Sequence, residues 1–475
     1  MYDIVVIGGG SAGLSIASYG ANFGFKVLLI EKDKLGGDCL WNGCVPTKSL
    51  VSSSKIIHNI NKYTKDLEAS WVFNFKDARE RMIKAQEKIA INDSIQRFNS
   101  LGVDVIIGEV KFLDENKLEV QMKNEKRIIN SKKFIIATGS SPKVPNLKGL
   151  LDIDYLTNIE LLKLKELPKS IIILGSGPIG IEFAQILNRF GVDVKVVLRG
   201  SRILKKEEKI ISNKLKNILE DEGIEFIEHF KQKEIKQEAK QVLLIGNIDK
   251  KEIIIQAEKI LIATGRQGNI ENLGLENIGV KTNKGYIVVD LNLRTTKKNI
   301  YAIGDVIGGM QFTHVASYEA RLAFFNSMYK LNQKRYYKDI PYATYCDPEI
   351  FHLGLTEIEA LKEYKGVKVY ELSLEEVDRF VAEDNTNGII RIICDKNGYI
   401  LGAHGLLEDA SSVLQPIVYA MKNKKKVGSL SQIVYPYPSK SEALKNVTDL
   451  YWREFASDGI VFDLIKKYGE IINKK

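Results

Sequence analysis

Cys39 and Cys44 stand in the run Gly36-Gly37-Asp38-Cys39-Leu40-Trp41-Asn42-Gly43-Cys44-Val45-Pro46-Thr47-Lys48. Two thiols that can close on one another exchange an S–S bond for a pair of electrons. On one ideal helix, five steps of rise would set their Cα atoms roughly 8 Å apart, beyond the ~7 Å that a disulfide spans. The backbone between them must bend, and Asn42 with Gly43 is the pair that can do so, since glycine takes non-helical angles at little steric cost. Pro46 suits the first position of a helix running through Lys48 and Leu50, which places Cys44 at the positive end of that helix, where a thiolate is favoured. Two bland readings stay open. Zinc would need further ligands at short spacing, whereas Cys346, Cys394 and all five histidines stand alone in the sequence, so no metal site is expected. A pair of inert buried cysteines is the other.

The segments around the cysteines carry nucleotide-binding patterns. Tyr2 to Ile7 is an apolar, β-branched run that meets Gly8-Gly9-Gly10-Ser11-Ala12-Gly13, then a helical stretch, then a second strand from Lys26 to Ile30 closed by Glu31. Strand, glycine turn, helix, strand and acidic residue form the dinucleotide fingerprint in its required context. Gly8 makes the turn, Gly10 admits a pyrophosphate, Gly13 lets the helix pack, and Glu31 can bond ribose hydroxyls. The unit recurs: Ser170 to Leu174, then Gly175-Ser176-Gly177-Pro178-Ile179-Gly180, then Val194 to Val197. Glu31 lies 23 positions after Gly8, but the residue 23 positions after Gly175 is Leu198, followed by Arg199, Arg202, Lys205 and Lys206. Without the carboxylate and with cations in its place, the second site reads as NADPH-binding in preference to NADH, against the plainer reading of solvated surface charge. Phe134 to Gly139 (FIIATG) and Ile260 to Gly265 (ILIATG) repeat a further pattern, and Asn299 to Asp305 is a strand ending on an acidic residue.

Together, the cysteine run, both glycine turns, both ATG segments and the AIGD segment resemble the FAD-containing pyridine nucleotide-disulfide oxidoreductases, whose members include dihydrolipoamide dehydrogenase, glutathione reductase and mercuric reductase. The likeness runs from Met1 into the C-terminal region, and the cysteine run sits nearest the mercuric reductase branch. It implies an α/β fold of two Rossmann-like domains and a C-terminal α+β dimerisation domain: an FAD domain at 1–145 and 270–332, an NAD(P) domain at 146–269 and an interface domain at 336–475. It further implies that Gly8, Gly10, Gly13 and Glu31 hold the adenosine end of FAD, with Thr138 and Gly139 also on the FAD side and Asp305 at the ribityl and pyrophosphate part. Gly175, Gly177, Gly180, Arg199, Arg202 and Gly265 would hold NADPH. Cys44 would lie against the flavin and Cys39 would meet the substrate, with Lys48 approaching flavin N5 and pairing with Glu182. The expected assembly is a homodimer whose active site is shared between subunits.

One stretch departs from the pattern. Disulfide-reducing relatives carry His, Pro, Thr, two more residues and Glu, whereas the residues here are Tyr437-Pro438-Ser439-Lys440-Ser441-Glu442. A phenol titrates near ~10 against ~6.5 for imidazole and is a poor base at neutral pH. Tyrosine at this place resembles mercuric reductase, yet residues 440–475 hold no cysteine pair to receive a metal. Tyr437 and Glu442 are candidates for a catalytic or substrate-facing role; pocket filling by Tyr437 and a Ser439/Glu442 capping box are the structural alternatives. Between Asn332 and Lys338 a basic, tyrosine-containing segment reads as a linker; beyond it, Ile389 to Cys394 and Tyr399 to Ala403 around Asp395-Lys396-Asn397-Gly398 read as a hairpin, and Ser411 to Lys424 as a helix with Pro416 near its start.

Composition sets the outer bounds. A chain of 475 residues suits about three average domains. No apolar run reaches about 18 residues, so no membrane association is expected. Met1 leads directly into a nucleotide-binding strand, so no secretory leader is expected. Four cysteines in this length suit a reducing cytoplasm. The net charge of +9 is spread thin, and the run at Lys422, Lys424, Lys425 and Lys426 reads as a solvated helix end, not a nucleic-acid patch. These residues point to a reductase passing electrons from NADPH through FAD and the Cys39/Cys44 pair to a small-molecule acceptor. Dihydrolipoamide dehydrogenase is the alternative enzyme, and a slowly turning flavin redox sensor the alternative of another class.

Overall fold

The structure is a computed structural model that describes residues 1–64, 74–457 and 460–473. It comprises two compact units, residues 1–200 with 224–336 and residues 201–223 with 337–475.

In the first unit, β1 (Ile4–Ile7), α1 (Ser11–Asn22) and β2 (Val27–Glu31) form the N-terminal crossover, followed by α2 (Gly37–Trp41), α3 (Cys44–Tyr63), β3 (Val103–Ile107), β4 (Phe134–Ile136) and β5 (Ser140–Pro142). The second crossover is β6 (Ser170–Leu174), α4 (Pro178–Arg189) and β7 (Asp193–Val197). Next comes α5 (Lys209–Asp221), which folds with the other unit, then β8 (Glu225–Ile227), β9 (Lys259–Ile262), β10 (Arg266–Gly268), β11 (Ile300–Ala302) and α6 (Thr313–Tyr329). One parallel sheet has the order β11-β4-β1-β2-β3 and the other the order β8-β7-β6-β9. Every residue of β1 is buried, as expected of a parallel strand covered on both faces, where apolar runs are continuous instead of alternating.

The second unit holds β12 (Tyr342–Thr344), β13 (Glu349–Gly354), β14 (Lys368–Ser373), β15 (Ile389–Cys394) and β16 (Ile400–Leu407), ordered β12-β13-β16-β15-β14 and antiparallel throughout. The expected hairpin is β15 with β16. Helices α7 (Ala410–Val413), α8 (Gln415–Lys422) and α9 (Glu442–Ser457) cover one face, burying Leu414, Ile417, Ala443 and Leu444 against Phe351, Leu353 and Ile392. The boundary between the units falls at Tyr336, inside the segment read as a linker.

Three local expectations are corrected. Helix α3 begins at Cys44, so Pro46 is its third residue instead of its first; the first-turn N–H groups have no partner inside the helix, which is why proline is tolerated there. The helix expected over Ser411 to Lys424 is broken at Leu414, because Pro416 has no N–H to continue an unbroken ladder and its ring opposes the carbonyl four residues back. Glu442 is the first residue of α9 and not its third, and Ser439 Oγ faces Ser441 Oγ at 2.8 Å, so the capping-box geometry does not form. Among the described residues no helix is long and apolar enough to cross a membrane.

Candidate active site

The backbone bends where the sequence requires it. Helix α2 stops at Trp41, Gly43 leaves helical geometry at φ −129° and ψ −113°, and α3 restarts at Cys44. The last carbonyls of α2 would be orphans, but the buried Gln86 side chain donates to Leu40 and Trp41 C=O at 3.0 Å each, and Asn158 donates to Asn42 C=O at 2.7 Å. Trp41 Nε1 donates to Leu35 C=O at 2.7 Å, fixing the other side of the loop.

Both cysteines are free thiols, Cys39 half-buried and Cys44 exposed. A hydrogen bond from Cys39 is the main cause that lowers Cys44 to a pKa of about 6, aided by Thr313 and the Lys48 ammonium and opposed by burial and Glu182. The same bond, with burial, raises Cys39, so Cys44 is the more acidic of the two thiols. Thr313 Oγ1 lies 3.5 Å from Cys44 Sγ at the first turn of α6. Lys48, one turn along α3, donates to Glu182 Oε2 on α4 at 2.8 Å; the Glu182 side chain is 6% exposed.

The two glycine turns impose the same steric demands. A Cβ on Gly8 would lie 2.3 Å from Ala137 O, and one on Gly175 2.3 Å from Ala263 O; both glycines have positive φ, +106° and +126°. A Cβ on Gly13 would meet Gly8 O at 1.8 Å, and one on Gly180 would meet Gly175 O at 2.1 Å. The middle glycines differ. Among the described residues a Cβ on Gly10 would meet nothing nearer than 3.7 Å and one on Gly177 nothing within 4 Å, and each glycine caps the N-terminus of its helix. Packing within the chain therefore does not require glycine at these two positions, and an approaching phosphate at a helix N-terminus does. Both cradles fit a dinucleotide.

At the end of β2, Glu31 accepts from Gly9 N–H at 2.6 Å and from Asp33 N–H at 2.9 Å. The two ATG segments meet: β5 and β10 pair antiparallel, Thr138 Oγ1 donates to Asn269 C=O at 2.7 Å, Asn269 N–H to Gly139 C=O at 3.0 Å, and Lys143 N–H to Gly265 C=O at 2.9 Å. Gly265 is thereby tied to the Gly139 side, joining residues assigned to different nucleotides. Asp305 accepts from Ser140 Oγ at 2.7 Å, and burial raises its pKa. Arg266 donates to Ser140 Oγ at 2.7 Å and to Asp38 Oδ2 at 2.9 Å, linking the Asp305 corner to the residue before Cys39. Ser140, Arg266, Thr313 and Gln86 were not singled out from the sequence; each acts through a partner more than 40 positions away, which no local pattern marks.

Arg199 is exposed at the end of the second crossover, whereas Arg202 lies in the segment that folds with the C-terminal unit and donates to Lys205 C=O. Tyr437 is in the C-terminal unit, 69% exposed, and its hydroxyl donates to Asp378 Oδ2 at 2.9 Å, a bond that raises its pKa. Glu442 is half-buried at the start of α9.

A mercuric reductase from Bacillus cereus is 34% identical over 452 residues, which cover 94% of this chain and 70% of that protein. The dihydrolipoyl dehydrogenase of Bacillus subtilis (strain 168) is 33% identical, covering 93% of this chain and 96% of its own length. The structure of the Cu(II) complex of the HOCl-induced flavoprotein disulfide reductase RclA from Escherichia coli matches with a TM-score of 0.85 at 29% identity, covering 94% of this chain and 99% of that one. Residues 2–320 match the pyridine nucleotide-disulphide oxidoreductase family and residues 340–448 its dimerisation domain. With a thiol pair set beside two dinucleotide cradles and both family segments in order, the chain belongs to the pyridine nucleotide-disulphide oxidoreductases.

Proposed function

We propose that the protein is an NADPH-dependent, FAD-containing reductase that delivers two electrons through Cys39 and Cys44 to a small soft electrophile or disulfide, in the manner of a mercuric reductase and not of a dihydrolipoamide dehydrogenase. The observation that carries this is the geometry around the thiols: Cys44 opens α3 with its Sγ 3.5 Å from Thr313 Oγ1, and Lys48, one turn on, is held 2.8 Å from Glu182. Bound FAD would accept a hydride from NADPH and pass the electron pair to the disulfide. Gly8, Gly10, Gly13 and Glu31 would hold its adenosine end and Asp305 its ribityl part; Lys48, oriented by Glu182, would set a positive charge beside the ring.

Opening the Cys39–Cys44 bond takes up two electrons and one proton, leaving Cys39 as thiol and Cys44 as thiolate. Thr313 and the Lys48 ammonium favour that charge. Cys39 then meets the acceptor; with a disulfide acceptor its sulfur attacks as its proton passes to the first departing thiolate, a mixed disulfide forms, and the Cys44 thiolate displaces the second thiolate, which is protonated from water, as the Cys39–Cys44 bond closes again. Tyr437 keeps its proton at neutral pH, because ionising it would place a phenolate beside the Asp378 carboxylate. It therefore cannot serve as the base that dihydrolipoamide oxidation needs. Arg199 and the absence of a carboxylate at Leu198 favour the 2′-phosphate of NADPH.

The test uses purified holoprotein under anaerobic conditions. NADPH is expected to reduce the flavin faster than NADH and to give a thiolate-to-flavin absorption band that Cys44→Ser abolishes. Turnover is expected with mercuric ion or small disulfides as acceptor and NADPH as donor. Fast reduction of NAD by dihydrolipoamide would overturn the acceptor assignment, and faster reduction by NADH would overturn that of Arg199.

A further inference from the structure

The histidines that stand alone in the sequence do not stand alone in the fold. His352 on β13 and His404 on β16 are directly opposed across the antiparallel pair, so their side chains share a face. Their rings lie 4.4 Å apart at 78°, and Tyr342 on β12, opposite His352 in turn, stacks on it at 4.3 Å. This is the sheet face turned away from α7, α8 and α9. Glu207, from the segment 201–223 of the same unit, reaches this row, and one ligand atom from each of Glu207, His352 and His404 lies within 4.8 Å of the other two. All three residues are buried, His404 completely.

Hydrogen-bond partners assign the protons. His404 Nε2 is 3.0 Å from Leu355 C=O, which can only accept, so the ring proton is on Nε2 and Nδ1 carries a lone pair. That Nδ1 is buried with no hydrogen-bond partner among the described residues. Burial holds the ring neutral, its pKa well below the ordinary histidine value. His352 Nε2 is 3.2 Å from Gly354 C=O and its Nδ1 2.9 Å from Glu207 Oε2. Both contacts are to acceptors, so a proton on each ring nitrogen or a cation between Nδ1 and the carboxylate satisfies them, and only the cation also gives His404 Nδ1 its missing partner.

The neighbouring cation is already committed. Arg391, opposite His404 on β15, pairs with Glu208, Glu357 and Glu371 at 2.8–2.9 Å, so its charge is spent on other carboxylates, and Glu207 is shared between His352 and the Tyr342 hydroxyl. We propose that Glu207, His352 and His404 bind one divalent transition-metal ion of the zinc class through a carboxylate oxygen and the two Nδ1 atoms. Each imidazole donates its other N–H to a backbone carbonyl, the arrangement that fixes tautomer and ring orientation in metal-ligating histidines. Tetrahedral metal–ligand bonds of ~2.0–2.2 Å set ligand atoms roughly 3.3–3.6 Å apart, so the three residues, whose ligand atoms lie within 4.8 Å of one another, draw together on binding. Three protein ligands leave a coordination position for water. The site lies wholly in the C-terminal unit and does not rest on the reductase assignment.

The test uses the full-length, flavin-loaded chain carrying Cys39→Ser and Cys44→Ser, so that the thiol pair cannot take the metal. After chelator treatment, the protein is exposed to Zn(II) or Co(II), freed of unbound metal and assayed by elemental analysis and visible absorption. About one equivalent is expected to remain, with Co(II) giving ligand-field bands and no thiolate charge-transfer band, and both Glu207→Gln and His404→Gln should weaken binding by about a hundredfold or more. No retained metal overturns the proposal and leaves Glu207 and His352 as an ion pair only; equal retention in both variants overturns it as well. If either variant fails to fold, as judged by circular dichroism, the melting temperature of the parent decides: a rise with one equivalent of Zn(II) supports the site, and no rise overturns it.

Discussion

At the level of single residues, the chemistry rests on where one proton sits. Cys44 is lowered to a pKa of about 6 chiefly because Cys39 donates to it, so the thiolate is the dominant form at pH 7 and is lost as the pH falls through that value. Alkylation of the reduced protein by iodoacetamide should therefore inflect near pH 6. In Cys39→Ala the donor is gone, and the inflection should move up towards the ordinary thiol range near ~8.5; an unmoved inflection would mean that Thr313 and Lys48 alone set the value. Tyr437 gives a second residue-level prediction. Its hydroxyl is held protonated by Asp378, whereas imidazole in its place would titrate near ~6.5 and gain from the same carboxylate. Tyr437→His should raise NAD reduction by dihydrolipoamide by about tenfold or more, within the range of general-base catalysis. No gain at pH 8 would show that position 437 does not face the substrate.

At the level of elements, the two crossovers separate the roles of their glycines. Gly180 and Gly13 are needed for close packing of helix on turn, since a Cβ would meet a backbone oxygen at 2.1 Å or less, while Gly177 has open space above it. Gly180→Ala should cost at least 1–3 kcal/mol, about the usual penalty for overpacking, and lower the urea midpoint. Gly177→Ala should fold and keep its flavin yet raise KM for the nicotinamide nucleotide about tenfold, a split between stability and binding that a melting curve and a KM measurement resolve. These elements were legible in the sequence because their determinants are local: an apolar β-branched run, glycines at fixed spacing, an acidic residue at the strand end. The start of α3 and the break at Leu414 differ from the sequence expectation because proline fits several first-turn positions and the pattern does not say which. Gln86, Arg266 and Thr313 were not legible at all. They complete the site through long-range topology, as does the cross-strand meeting of His352 and His404, residues 52 positions apart in sequence. The coupling of 201–223 to the C-terminal unit was equally hidden, since its basic surface and apolar Ile203, Leu204, Ile211 and Leu215 look like any helix of a nucleotide domain.

For the whole molecule, the placement of functional groups bears on assembly. The thiols, Lys48 and Glu182 are in one unit, and Tyr437 and Glu442 in the other, where Val434 is 94% exposed and Tyr437 69% beside half-exposed Ile433. A loop this apolar and this open is the kind of surface that a second copy covers, and residues 340–448 match a family dimerisation domain. If each site combines the thiols of one subunit with Tyr437 and Glu442 of its partner, defects in the two groups should complement. A Cys44→Ser subunit and a Glu442→Ala subunit, unfolded and refolded together, reassort so that about half the dimers are mixed. Each mixed dimer then has one site with both groups intact and one with neither, so the mixture should show about a quarter of the wild-type activity while each parent alone shows little. If each site is built within one subunit, the mixed dimer has no intact site and the activity of the mixture stays at the average of the parents. Sedimentation of the mixture, with one parent tagged, confirms that exchange took place, so that a negative result counts against sharing and not against refolding.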